Sequence, residues 1–129
     1  MHMLNEKYPN DPAMVNNSQI TNEYLSYLIS IGPCQPLPSN MPGKMFPKRK
    51  QNNIVRSFND SYYYKILPDK STVRRTWVSY SPSIDRVFCI TCKLFGTTKG
   101  KRNTLSRKGT NDWQYISTRL NEHESSIDH

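Results

Sequence analysis

Four side chains near the end of the chain carry its most distinctive chemistry. Cys89 and Cys92 stand two residues apart, and His123 and His129 follow with five residues between them. Two thiolates and two imidazoles are the donor set of a structural zinc site, where a tetrahedral ion is closed off from water by four soft or borderline ligands. A C-x2-C turn supplies two sulfurs from one piece of backbone, and a helix end supplies two nitrogens. The thirty residues between Cys92 and His123 exceed the gap of the small DNA-reading fingers. The pattern therefore reads as a finger with a long insertion. The plainer alternatives are a redox pair or two small buried hydrophobes for the cysteines, and surface or tag histidines for the imidazoles.

Such a site suits the rest of the chain. The chain has 129 residues, room for one domain. Only 35% of them are hydrophobic, and the mean hydropathy is −0.77. A core this lean needs bulk from aromatics and a staple, and eight Tyr, two Trp and four Phe supply the bulk. Three cysteines argue against a disulfide framework. No apolar run approaches a membrane span, and no signal-peptide core is present. Cytosol or nucleus fits a thiolate site.

Positive charge is concentrated in the middle. Residues 44–108 hold sixteen Lys/Arg against Asp60, Asp69 and Asp85, whereas 1–43 and 109–129 are each slightly acidic. Metallation by two thiolates leaves this imbalance intact. A basic centre is the footprint of a polyanion binder, the alternative being a solvated face. The candidate phosphate contacts are Lys48, Arg49, Lys50, Arg74, Arg75, Lys99, Lys101, Arg102, Arg107 and Lys108.

The elements that must position these groups follow from periodicity. Residues 1–17 read as a loose polar leader, and Met1-His2-Met3 as a cloning remnant. Ile20, Tyr24, Leu25, Tyr27, Leu28 and Ile31 trace a helical face from Gln19 to Ile31, capped by Asn17 or Ser18 and stopped by Gly32-Pro33. Residues 32–47 are a Pro-rich connector without regular structure, holding Cys34 as a fifth thiol ligand or, on the better reading, a spectator. Tyr62-Tyr63-Tyr64 either stack on bases or pack on a core, and the core is favoured. Arg74–Ser81 is predicted as a strand, Pro82–Asp85 as a turn, and Arg86–Ile90 as the return strand that delivers Cys89, with Leu94-Phe95 beneath. Gly96–Gly109 reads as a flexible cationic flap. The last helix is predicted from about Asp112, capped by Thr110 or Asn111. Trp113, Ile116, Leu120, His123 and Ile127 form its buried stripe. At 100° per residue His129 points away from His123, so the helix must change pitch near Ser125–Ile127 for both to reach one ion.

The fold class is thus a small α+β zinc-stapled domain. A β-hairpin with a C-x2-C knuckle packs on a C-terminal helix, preceded by an N-terminal helix and a Pro-rich connector. Residues 1–31 form the leader and helix, and 32–129 the finger.

An ordered series of residues resembles the TTF-type zinc finger at the N-terminus of hAT-family transposases and in the MYM-type zinc finger proteins derived from them. It comprises Gly32-Pro33 with Gln35-Pro36, Phe46-Pro47, Arg56 and Phe58, Trp77 with Tyr80-Ser81, Asp85, Val87-Phe88-Cys89, Cys92, Leu94-Phe95, Gly109, Trp113, Leu120, His123-Glu124-Ser125 and His129. The resemblance implies one structural zinc ion at Cys89, Cys92, His123 and His129, recognition of duplex DNA such as transposon ends, and a nuclear location. The tyrosine run and Leu67–Thr72 depart from the family's spacing. The family's RNase-H-like catalytic domain has no counterpart in these residues. No acid pair, nucleophile–base pair or phosphate loop is visible, and a closed four-ligand zinc has no open position for water, so catalysis is not expected. The alternative function is a protein-interaction module of a domesticated transposase, docking through the N-terminal helix and the tyrosines.

Overall fold

The computed structural model describes residues 8–15, 20–95 and 104–126. Among these residues three two-stranded antiparallel hairpins follow one another, with one α-helix before them and two after.

Helix α1 spans Asn22–Ile31. Thr21 caps it, its hydroxyl accepting from the Tyr24 amide at 3.1 Å. The helix therefore starts later than expected from Asn17 or Ser18, which lie outside the described residues with Gln19. Gly32 ends it at φ 77°, donating to the Leu28 carbonyl, as a C-terminal glycine does. Of the predicted apolar face only Leu28 is buried. The leader is not loose over Tyr8–Val15. Asp11 is fully buried. Its carboxylate accepts from the amides of Ala13 and Ser83, and Asn10 donates to the Gly32 carbonyl. This anchors the segment to the turn of the third hairpin. The Pro-rich connector holds two short 3-10 turns, Pro38–Asn40 and Pro42–Lys44.

Strands β1 (Lys48–Gln51) and β2 (Ile54–Ser57) form the first hairpin. Asn52 and Asn53 both take positive φ, 53° and 65°, the type I′ conformation whose twist matches a two-residue hairpin. Strands β3 (Tyr64–Ile66) and β4 (Thr72–Arg74) form the second. The single strand expected over Arg74–Ser81 is broken. Arg75 donates its amide to the Tyr63 carbonyl and its own carbonyl accepts from Val78, so the chain turns at Arg75–Trp77 before β5 (Val78–Ser81) begins. Strand β6 (Arg86–Cys89) returns beside it, with Val78 opposite Cys89 and Ser81 opposite Arg86. All four residues of β5 are buried, and so are Val87, Phe88 and Cys89. The uninterrupted apolar run of β6 predicted this two-sided cover.

The core is aromatic. The rings of Phe58 and Tyr80 stack at 4.6 Å. Phe46, Tyr62, Tyr63 and Trp113 meet Phe58 at steeper angles. Tyr63 sends its hydroxyl to the Pro36 carbonyl, so the middle tyrosine of the run is a core residue, while Tyr64 is exposed.

The expected flap is built structure at its C-terminal end. Thr104–Lys108 makes a π-helical turn with Leu105 buried, and Thr110 exchanges two backbone bonds with Val87 along the free edge of β6. Gly109 makes this approach possible. Its φ is 68°, and a Cβ there would stand 2.7 Å from the Phe88 ring. Residues 96–103, which carry Lys99, Lys101 and Arg102, lie outside the described residues. Helix α2 covers Ile90–Phe95 and α3 covers Ile116–Ser126. Helix α3 starts later than Asp112. At Thr110 the backbone is still bound to β6, and its hydroxyl accepts from the Asp112 amide. Asp112–Tyr115 is a turn held by the Arg119–Asp112 ion pair at 2.9 Å. Trp113, Ile116, Leu120 and His123 are nonetheless all buried, as the stripe predicted.

Candidate metal centre

The end of β6, the first turn of α2 and the last turn of α3 converge on one point. Cys89 is the last residue of β6 and is wholly buried. The hairpin fixes its backbone, and the Ile90 amide closes the mouth by donating to the Trp77 carbonyl at 2.9 Å. Cys92 follows from the start of a helix, where a knuckle turn was expected. Its amide points at the Cys89 sulfur, 3.3 Å away, so the backbone itself stabilises negative charge there. His123 comes from the buried stripe of α3, with its Nε2 3.5 Å from the Cys92 Sγ.

The donor atoms of Cys89, Cys92 and His123 all lie within 4.8 Å of one another. With Zn–S near 2.3 Å and Zn–N near 2.0–2.1 Å, the S···N edge of a tetrahedron around zinc is about 3.6 Å. The Cys92–His123 separation of 3.5 Å fits that edge. Burial pushes the Cys89 thiol well above its ordinary range, against the pull of the Cys92 amide. Neutral sulfur is therefore the rule without a cation, and a metal ion would take the place of the proton. His129, the fourth expected ligand, lies outside the described residues. Cys34 is not in the cluster. It is buried beside β5, where its amide donates to Ser79 Oγ and its carbonyl accepts from Tyr80. That placement makes it a core thiol, as the spectator reading had it.

Two residues that frame the site were not assigned to it from sequence. Trp77 lies against the His123 ring with centroids 5.1 Å apart, forming an aromatic wall. Arg75 is turned inward. Its guanidinium donates to the carbonyls of Tyr62 and Tyr64 at 3.2 Å and to Asn121 Oδ1 at 2.8 Å, and sits 3.5 Å from Glu124. Asn121 and Glu124 flank His123 on α3, so this one cation fixes the rotation of the helix that presents the imidazole. Arg75 is thus withdrawn from the expected phosphate contacts. A side chain only 6% exposed is closed to an outside anion. Arg49 is partly withdrawn as well. Its Nε pairs with buried Asp85 at 2.6 Å, where Tyr80 also donates its hydroxyl. Arg74, exposed, donates to Gln35 Oε1. Lys48, Lys50, Arg107 and Lys108 are exposed. Phe95, expected beneath the knuckle, is 59% exposed, because α2 carries it past the site.

Sequence comparison points the same way. The chain is similar to Zinc finger MYM-type protein 5 of Homo sapiens, 41% identical over 97 residues. The proteins of the same name from Macaca fascicularis and Mus musculus match at 40% and 38%. Its relatives are MYM-type zinc finger proteins. The human and macaque matches cover 72% of this chain but 14% of the relatives, so the chain corresponds to a segment of a longer protein there. The mouse match covers 65% of this chain and 13% of its relative. No family model matches the chain, and no solved structure gives a significant match. Among the described residues no helix is long and apolar enough to cross a membrane.

Proposed function

We propose that this chain is a zinc-stapled module that binds duplex DNA, the N-terminal part of an hAT-transposase-derived nuclear protein of TTF type. The convergence of Cys89, Cys92 and His123 from three separate elements is the observation that carries the metal part. His129 completes the set in this reading. Zinc, when bound, supplies a crosslink whose apparent free energy in structural sites is about 10–16 kcal/mol, large beside the stability of a small domain. The chain's own residues do the rest. Trp77 shields the imidazole, the Cys92 amide steadies the Cys89 sulfur, and Arg75 holds α3 in register. The human relative's name, Zinc finger MYM-type protein 5, supports zinc as the ion.

The DNA part rests on charge. The middle of the chain carries far more Lys/Arg than acid, and Lys48, Lys50, Arg74, Arg107 and Lys108 face solvent. Lys99, Lys101 and Arg102 belong to the same basic segment. Affinity for a duplex is expected to fall steeply with salt, with a log–log slope of about −0.9 per phosphate neutralised. A flat salt response removes this reading. A second reading, docking of a protein partner, is favoured by one observation: Tyr27, Ile29 and Ile31 of α1 are exposed. Under that reading capture survives high salt, and replacing Lys99, Lys101 and Arg102 changes little.

A further inference from the structure

The hairpin of β1 and β2 is not used by the metal centre, and its two faces differ. Opposed residues of an antiparallel pair share a side, so Arg49, Gln51, Ile54 and Arg56 lie on one face and Lys48, Lys50, Val55 and Ser57 on the other. The first face is tied down at Arg49 and Gln51, although Ile54 on it is 52% exposed. Arg49 pairs with Asp85, and Gln51 donates to the Asn111 carbonyl. At the apex Asn52 donates to Gln114. The second face is open. Lys48 and Lys50 are exposed, and Val55, directly across from Lys50, is 62% exposed. Among the described residues neither strand pairs with any strand outside the hairpin. Residues 48–57 hold four cations and no acid.

We infer that this hairpin is the element that enters the DNA: a rigid two-stranded ribbon that lays its Lys48–Lys50–Val55 face into the major groove. The inference rests on the DNA-binding reading above. A major groove about 12 Å wide and about 8.5 Å deep admits such a ribbon, whereas the deep, narrow major groove of A-form RNA does not. Four residues per strand at about 3.3 Å each reach across about four base pairs. Lysines on the face meet guanine O6/N7 or the flanking phosphates, and the Val55 methyls meet the C5-methyl of thymine. Asn53, at the apex with φ 65°, is exposed and offers a carboxamide of the kind that pairs with adenine. The bonds to Asp85, Asn111 and Gln114 set the face in advance, so little ordering is left for binding to accomplish. Charge complementarity selects a polyanion over an apolar protein partner for this face.

The test uses the full zinc-loaded chain and three duplexes of one sequence. These are plain DNA, DNA whose cytosines carry glucosyl groups filling the major groove, and duplex RNA. The chain should bind plain DNA, lose at least 10-fold on the glucosylated duplex and on RNA, and be indifferent to a minor-groove ligand. Lys48→Gln with Lys50→Gln should lower plain-DNA affinity at least 10-fold and flatten the salt slope by about 1.8. Both lysines are exposed, and an unchanged melting temperature checks the fold. Plain-DNA binding that survives groove filling or the double substitution unaltered overturns the ribbon assignment while leaving DNA binding in place. Absence of any salt-dependent DNA binding by the wild type overturns both.

Discussion

Replacing Arg75 by Met tests how the histidine is held. Methionine keeps the length and the apolar stem but removes the guanidinium. Two part-buried carbonyls, those of Tyr62 and Tyr64, lose their side-chain donor. The Asn121 carboxamide loses a 2.8 Å bond, and among the described residues Glu124 keeps Lys65, at 3.5 Å. Hydrogen bonds to a charged group contribute about 1.5–3 kcal/mol each, and removing one partner of a buried charged network costs about 3–5 kcal/mol in all. We expect about 3–4 kcal/mol, since Glu124 is partly exposed and its share is screened. For a domain of this size that lowers the melting temperature by about 10–15 °C. Because Asn121 and Glu124 bracket His123, zinc affinity should also fall about 10-fold, the lower end for residues that orient a metal ligand. Arg75→Lys, which restores the charge without the planar fork, should recover only part of both losses. Differential scanning calorimetry and competition with a chromophoric chelator read the two effects separately. An Arg75→Met protein that melts within 2–3 °C of wild type, by the same size scaling less than about 1 kcal/mol, and holds zinc as tightly would refute the clamp.

Other substitutions and conditions probe separate joints. Gly109→Ala forces a Cβ into the Phe88 ring at a backbone angle that L-residues rarely adopt, and should cost about 2–4 kcal/mol by denaturant titration. A wild-type-like midpoint would mean that the close approach relaxes freely. Burial pushes the Cys34 thiol and the Tyr63 and Tyr80 hydroxyls well above their ordinary ranges, with nearby Asp11, Asp60 and Asp85 adding respectively to each. Each such group stays protonated in the folded chain after its unfolded counterpart has ionised. The stability they confer is complete below about pH 8.5 and is lost as pH rises through and above that value, by up to about 1.4 kcal/mol per pH unit for each group in play. A stability that holds level from pH 8 to pH 11 would contradict this burial. For the same reason Cys34 should resist a thiol reagent in the native chain and react on unfolding, followed by absorbance.

The convergence of Cys89, Cys92 and His123 was legible in the sequence because cysteine spacing is a local property and because His123 shares the buried stripe of Trp113, Ile116 and Leu120. The third hairpin was legible too, since the Pro82–Asp85 turn separates two apolar runs. The first hairpin was missed. Lys48–Gln51 is wholly polar and shows no alternation, and only Asn52-Asn53, a pair that tolerates positive φ, marked its turn. Arg75 looked like its neighbour Arg74. Nothing local distinguishes a surface cation from one whose partners, Tyr62, Tyr64, Asn121 and Glu124, are brought by other elements. The start of α3 was misplaced for a similar reason. Thr110 has the chemistry of a helix cap, but its pairing with Val87, twenty-three residues away, keeps the backbone extended there. Long-range bonds decided the last two of these points, and periodicity does not contain them.

On the proposed reading one zinc ion joins the end of the third hairpin to the last helix. X-ray absorption at the zinc edge, on protein whose metal content has been measured, tests it most directly. The expected result is one zinc per chain bound by two sulfurs at about 2.3 Å and two nitrogens at about 2.0 Å, with one nitrogen lost in His123→Ala. A chain that retains no zinc, a zinc shell without two sulfurs, or a spectrum unchanged by His123→Ala would contradict it.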